Sequence, residues 1–177
     1  MKAGLIVVDV QAGLFESSPR FDADGVIRRI NALAEAVRAG GGAVVFIQHE
    51  DDDSLAYGSP GWRLHPGLDA RSEDAYVRKT ASDSFYRSDL EETLRERRVT
   101  RLLFTGCATE FCVDTAIRSA VSRDYEVVVV ADGHTTADRP HLPAEKIIEH
   151  PNWVWSNLIL PGRPVVVAKT ETILSRI

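Results

Sequence analysis

With 177 residues, 44% of them apolar and 27% charged, the chain carries enough hydrophobic sequence for one core of ordinary size and is unlike a disordered segment. Its formal net charge of −5, with no basic residues gathered on one predicted helix face, argues against nucleic acid as a partner. The two cysteines, Cys107 and Cys112, make neither a disulfide framework nor a zinc signature, and both are expected as free thiols.

No stretch approaches the roughly 18 consecutive apolar residues of a membrane span, and Asp9 interrupts the first apolar run before it could form a signal-peptide core. A cytoplasmic protein without membrane contact is expected. The run LIVVDV at 5–10 has the pattern of a strand buried on both faces that delivers a carboxylate near its C-terminal end. Such a carboxylate is unfavourable unless it is paired or used, the competing assignment being a cap on the turn that begins at Gln11. A polar connection over 19–25 leads to a helix over 26–38, apolar at 26, 27, 30, 33, 34 and 37 and ended by Gly40, Gly41 and Gly42.

The second buried strand is AVVFI at 43–47, followed by Gln48, His49 and Glu50. From there a loop rich in Gly, Ser and Pro runs to Pro66 and carries Trp62 and His65. A short third strand over 73–79 ends in Lys79, and 88–98 is a second amphipathic helix with Ser88 and Glu91 at capping-box spacing. The fourth strand, 102–105, is closed by Gly106. Apolar residues then recur at 111, 113, 116, 117 and 120, predicting a helix over 110–123 with Thr109 as its N-cap.

In that arrangement the free N–H groups of residues 110–112 point at the surroundings of Cys112, where they favour the thiolate and can hold an oxyanion. Against this stands the reading of Cys112 as a small buried hydrophobe. A fifth strand over 126–131 leads to Asp132, Gly133 and His134, and a helical stretch over 144–158 is expected to break near His150 because Pro151 lacks an N–H. A last strand over 164–168 precedes a C-terminal helical turn. His134, His141 and His150 are read as loop or capping residues. Apolar strands alternating with amphipathic helices call for an α/β fold, a parallel sheet covered on both faces within one domain spanning 1–177.

In such sheets sites collect beyond the carboxyl ends of the strands. Asp9, the segment 48–50, Lys79 and the segment 107–112 end or follow four separate strands, so polar groups from four places would meet at one edge. The chemistry is coherent: Asp9 takes the thiol proton, Lys79 holds the negative charge, and Cys112 attacks a carbonyl carbon to form a thioester that water then opens.

Three segments, VVDVQ at 7–11, RKTASDSF at 78–85 and TGCATEFCVDTA at 105–116, resemble the signature segments of the isochorismatase-like cysteine hydrolase family, in the family's order and over roughly residues 4–137. The resemblance implies a Rossmann-like, three-layer, six-stranded and mostly parallel sheet and an Asp-Lys-Cys triad at Asp9, Lys79 and Cys112. It also implies an oxyanion hole from the backbone N–H groups of Ala108 and Cys112, and a cis peptide between Cys107 and Ala108. A homo-oligomer, dimer or tetramer, is implied too; separately from the resemblance, the Trp153/Trp155 segment is the expected interface.

Nicotinamidases of this family place a metal after the second strand, where the matching residues here are Gln48, Glu50 and His65. An amide is a poor first ligand, so no metal and no cofactor are expected. Aromatic candidates for a substrate pocket are Phe15, Trp62 and Phe85, each with core packing as its alternative. The resulting expectation is a metal-independent hydrolase of a C–N bond in a small molecule. A hydrolase of a small carboxylated ring and a catalytically idle binding protein are the competing readings.

Overall fold

The computed structural model describes residues 2–177. Its six strands are β1 (Ala3–Val8), β2 (Ala43–His49), β3 (Ala75–Lys79), β4 (Arg101–Cys107), β5 (Glu126–Thr135) and β6 (Val166–Ala168), in the order β3-β2-β1-β4-β5-β6. Every neighbouring pair is parallel. The helices are α1 (Ala12–Glu16), α2 (Ala23–Ala39), α3 (Leu90–Glu96), α4 (Asp114–Val121), α5 (Ala144–Ser156) and α6 (Thr170–Leu174). Among the described residues no helix is long and apolar enough to cross a membrane.

The alternation of strand side chains divides the interior into two cores. Leu5, Val7, Val44 and Phe46 face α2 and α6, where Val26, Ile30, Leu33, Val37 and Ile173 cover them. Ile6, Val8, Val45, Ile47 and Phe104 face α3, α4 and α5, covered by Leu90, Leu94, Ile117 and Trp155. Burying each such Leu or Ile contributes on the order of 1.5–3 kcal/mol, enough to hold even the short helix α3 against the sheet.

Strand order reverses direction between β1 and β4, which lie side by side with Val8 opposite Gly106. The carboxyl ends of these two strands therefore open the crevice in which α/β sheets bind their ligands. Asp9 and the segment after Cys107 sit there.

Several local expectations are corrected. α5 runs unbroken through Pro151. Ile147 and the fully buried Trp155 anchor its two halves, and the side chain of Asn152 donates to Ala131 O at 2.9 Å, so tertiary contacts outweigh the single missing hydrogen bond. Trp155 is no interface residue: its indole donates to Asp114 Oδ1 at 2.7 Å inside the core, whereas Trp153 is 65% exposed. α3 begins after Asp89 rather than Ser88, because the Ser88 hydroxyl is turned back onto Ser84 O and no capping box forms. The short helix α1 has no counterpart in the apolar periodicity.

Gly106 is the position where the backbone permits no side chain. Its φ is +122°, and a Cβ there would lie 2.1 Å from Val8 O. Gly106→Ala is expected to destabilise the protein by about 3 kcal/mol or more, combining a left-handed backbone with a clash across the central strand pair. Urea unfolding, read as a lowered midpoint with unchanged slope, measures it.

Candidate active site

Asp9 is the first residue past β1, with φ +49° and its backbone N–H bonded to Ile47 O at 3.0 Å. Its side chain turns into the sheet edge and is 1% exposed. Lys79, the last residue of β3, reaches across with its side chain wholly buried and places Nζ 2.7 Å from Asp9 Oδ2. The same ammonium donates to Ala81 O at 3.0 Å and lies 3.4 Å from His49 Nδ1. Asp9 Oδ1 is buried and has no hydrogen-bond partner among the described residues.

Cys112 reaches the same place from β4. The peptide between Cys107 and Ala108 is cis, as the resemblance implied, and residues Thr109–Val113 form a turn of π-helix before α4 begins. Thr109 is consequently not the N-cap. The N–H groups of Phe111 and Val113 both bond Ala108 O, at 3.0 and 3.2 Å, so the array of free donors expected over 110–112 is partly consumed.

The thiol also departs from expectation. Burial pushes Cys112 up to about 12, the Asp9 charge adds to this, and Lys79 opposes it. The resting sulfur is therefore a protonated thiol lying beside a carboxylate, because desolvation outweighs whatever the turn supplies. Cys107, 1% exposed, is also pushed up to about 12, by burial above all. Burial, then the Lys79 charge, holds His49 below the usual imidazole range.

Asp9, Cys112 and His49 line one cleft of about 300 Å³. Leu14, Leu55 and Phe111 contribute its apolar lining, and Arg20 and Arg139 line it as well. None of the three aromatics expected in the pocket lines this cleft. Phe85 is buried in the core against Tyr125, Phe15 packs against the His65 ring at 5.2 Å, and Trp62 meets Tyr57 edge-on at 4.8 Å. Their bulk is spent on packing, the commoner fate of aromatic side chains. Leu14, Arg20, Phe111 and Arg139 were missed, since nothing in the spacing along the chain marks them.

The candidate metal ligands are engaged elsewhere. Gln48 Nε2 donates to Trp62 O at 3.0 Å, Glu50 holds Arg78 at 2.8 Å, and His65 Nδ1 accepts the Gly67 N–H at 3.1 Å. An amide whose NH2 is committed and a carboxylate bound to a guanidinium do not fit a cation site. Among the described residues no cluster of three His, Cys, Asp or Glu side chains is arranged to hold a metal ion.

His134 is a second correction within the site, a buried strand residue rather than a loop cap. Asn152 donates its NH2 to Ala131 O, so its Oδ1 accepts from His134 Nε2–H at 3.1 Å. The other ring nitrogen then accepts from the Thr109 hydroxyl at 2.8 Å. A neutral imidazole thus ties the start of the Cys112 turn to β5 and α5. Burial brings its pKa down to about 4.

Comparison with known proteins bears on family and fold. The isochorismatase-domain family profile matches residues 3–146. Streptothricin hydrolase of Streptomyces noursei is 37% identical over 144 residues, covering 78% of this chain and 56% of the relative, so the chain spans little more than half of that protein. Ureidoacrylate amidohydrolase RutB of Variovorax paradoxus strain S110 is 32% identical over 169 residues, 73% of this chain and 67% of the relative. A crystal structure of an isochorismatase family protein superposes with a TM-score of 0.85 at 32% identity, covering 93% of this chain and 96% of that one.

His134 makes stability fall with acidity. The ring stays neutral when folded but titrates near 6.5 when unfolded, so its contribution is full above pH 6.5 and is lost as pH falls to about 4. Roughly 3 kcal/mol should disappear across that window. Urea unfolding from pH 7 to pH 4 should show His134→Gln with a visibly flatter dependence than the wild type.

Proposed function

The chain belongs to the isochorismatase family, and from that premise we propose that it is a cysteine hydrolase cleaving an amide-type C–N bond of a small molecule through a thioester on Cys112. A cleft of about 300 Å³ suits a small molecule, at the low end of ligand-site volumes. Support for an amide comes from the two relatives, one named a hydrolase and the other an amidohydrolase.

In the proposed cycle Cys112 Sγ attacks the carbonyl carbon while its proton passes to Asp9 Oδ1, the oxygen without a partner. Lys79 keeps Oδ2 fixed and supplies the charge that steadies the developing anion. Backbone N–H groups of Ala108 and Cys112 receive the oxyanion. Asp9 then returns the proton to the leaving nitrogen as the C–N bond breaks, leaving a thioester. Water, its proton taken by the same carboxylate, attacks the thioester carbon; the acid departs and Sγ regains its proton. The cycle needs side chains, backbone and water alone.

One observation carries this reading: a buried carboxylate has one oxygen locked on an ammonium and the other free, in the same cleft as a thiol that is protonated at rest. A protonated nucleophile needs a base, and a free buried oxygen is one. An idle binding protein has no physical use for this arrangement, because an unsatisfied buried oxygen only destabilises.

Ammonia release across a panel of small amides tests it. Cys112→Ala should reduce turnover to background, and Asp9→Asn should reduce kcat by about 10²–10⁴-fold. Intact mass of rapidly quenched wild-type protein should show an acyl adduct on Cys112. Full activity in Cys112→Ala would end the thioester mechanism.

A further inference from the structure

The charges lining the cleft do not cancel. Asp9 is matched by Lys79, and Glu110 by Arg139, whose Nε reaches Glu110 Oε1 at 2.8 Å and whose guanidinium lies over the Phe111 ring. Arg20 remains. Its Nε donates to Leu14 O at 2.8 Å, which orients the group, and among the described residues it pairs with no carboxylate. After burial, Arg20 is the largest influence on the Cys107 thiol and draws it down, so its charge is felt at the base of the nucleophile turn. A guanidinium held by one nitrogen keeps its terminal N–H groups in the fork that matches a carboxylate.

Resting on the proposed hydrolysis, we infer that the substrate is an amide that also carries a carboxylate, received by Arg20 while Leu14, Leu55 and Phe111 enclose the short apolar link to the scissile carbonyl. The acidic run Glu50, Asp51 and Asp52 would favour a cationic substrate, but it lines a neighbouring hollow that shares only His49 with this cleft. Glu50 is moreover paired with Arg78, and Asp51 accepts the N–H groups of Asp53 and Leu55.

The test uses the thiol itself, so the natural substrate need not be identified. Alkylation of Cys112 is timed with ω-iodo acids of two to four carbons and, in parallel, with the corresponding neutral amides. For at least one chain length the acid-to-amide rate ratio should exceed that of free cysteine by about tenfold or more, and Arg20→Gln should return it to the free-cysteine value while Arg20→Lys retains part of the preference. Ratios equal to free cysteine at every length, or a preference untouched in Arg20→Gln, would overturn the inference.

A second arm needs no reactive sulfur. Butyrate should raise the Tm of the wild type more than butyramide does, and the difference should vanish in Arg20→Gln. Equal shifts from acid and amide would again overturn it. Failure of the thiol mechanism shows separately, as hydrolysis surviving in Cys112→Ala.

Discussion

A carboxylate and an ammonium both removed from water must answer each other's charge, and the Asp9–Lys79 pair does so at 2.7 Å with side chains almost fully inaccessible. Desolvating each ion is expensive by several kcal/mol, so the pair is tolerated only where the surrounding structure holds both partners rigidly. Here that structure is the edge of three neighbouring strands. Asp9 follows β1, Lys79 ends β3, and β2 between them contributes His49 and Ile47 O, which accepts the Asp9 backbone N–H. Removing either partner would leave an unanswered charge in the interior.

From that pair the character of the cleft follows. Lys79 takes one carboxylate oxygen, and the other is buried without a hydrogen-bond partner among the described residues, in the cleft that Cys112 also lines. Because the half-buried sulfur is desolvated and has a negative group near it, its pKa is raised and it keeps its proton. In the proposed cycle the two facts are complementary: the environment that suppresses a standing thiolate also supplies the carboxylate assigned to take the proton. A cysteine activated by a helix N-terminus alone would need neither.

Behind the nucleophile, the turn is positioned from outside the cleft. Thr109 is tied through the neutral His134 ring to Asn152, and Asn152 to the backbone of β5. Trp155 closes the same network edge-on against His134 and bonds Asp114 at the start of α4. The π turn, β5 and α5 are therefore joined by one continuous hydrogen-bond network. Electrostatically the cleft is an island of net positive charge in a chain whose overall charge is −5, which is why the local arrangement, and not the composition, informs on ligand charge.

What the sequence by itself determined is the framework and the placing of three polar residues at one sheet edge. Continuous apolar runs mark the core of the first, second, fourth and fifth strands, strand–helix alternation marks the parallel sheet, and Asp9, Lys79 and Cys112 stand at strand ends where such sheets gather their sites. These features depend on neighbours close along the chain or on the topology that periodicity implies. Tertiary structure alone decided the rest. The π turn replaced a capped helix because Thr109 found His134; α5 continued through Pro151 because its two halves are anchored separately; the thiol stayed protonated because desolvation depends on everything around it. Phe15, Trp62 and Phe85 went into packing while Arg20 and Arg139, far apart in sequence, came to line one cleft. Burial and charge pairing are sums over neighbours in space, and spacing along a chain does not encode them.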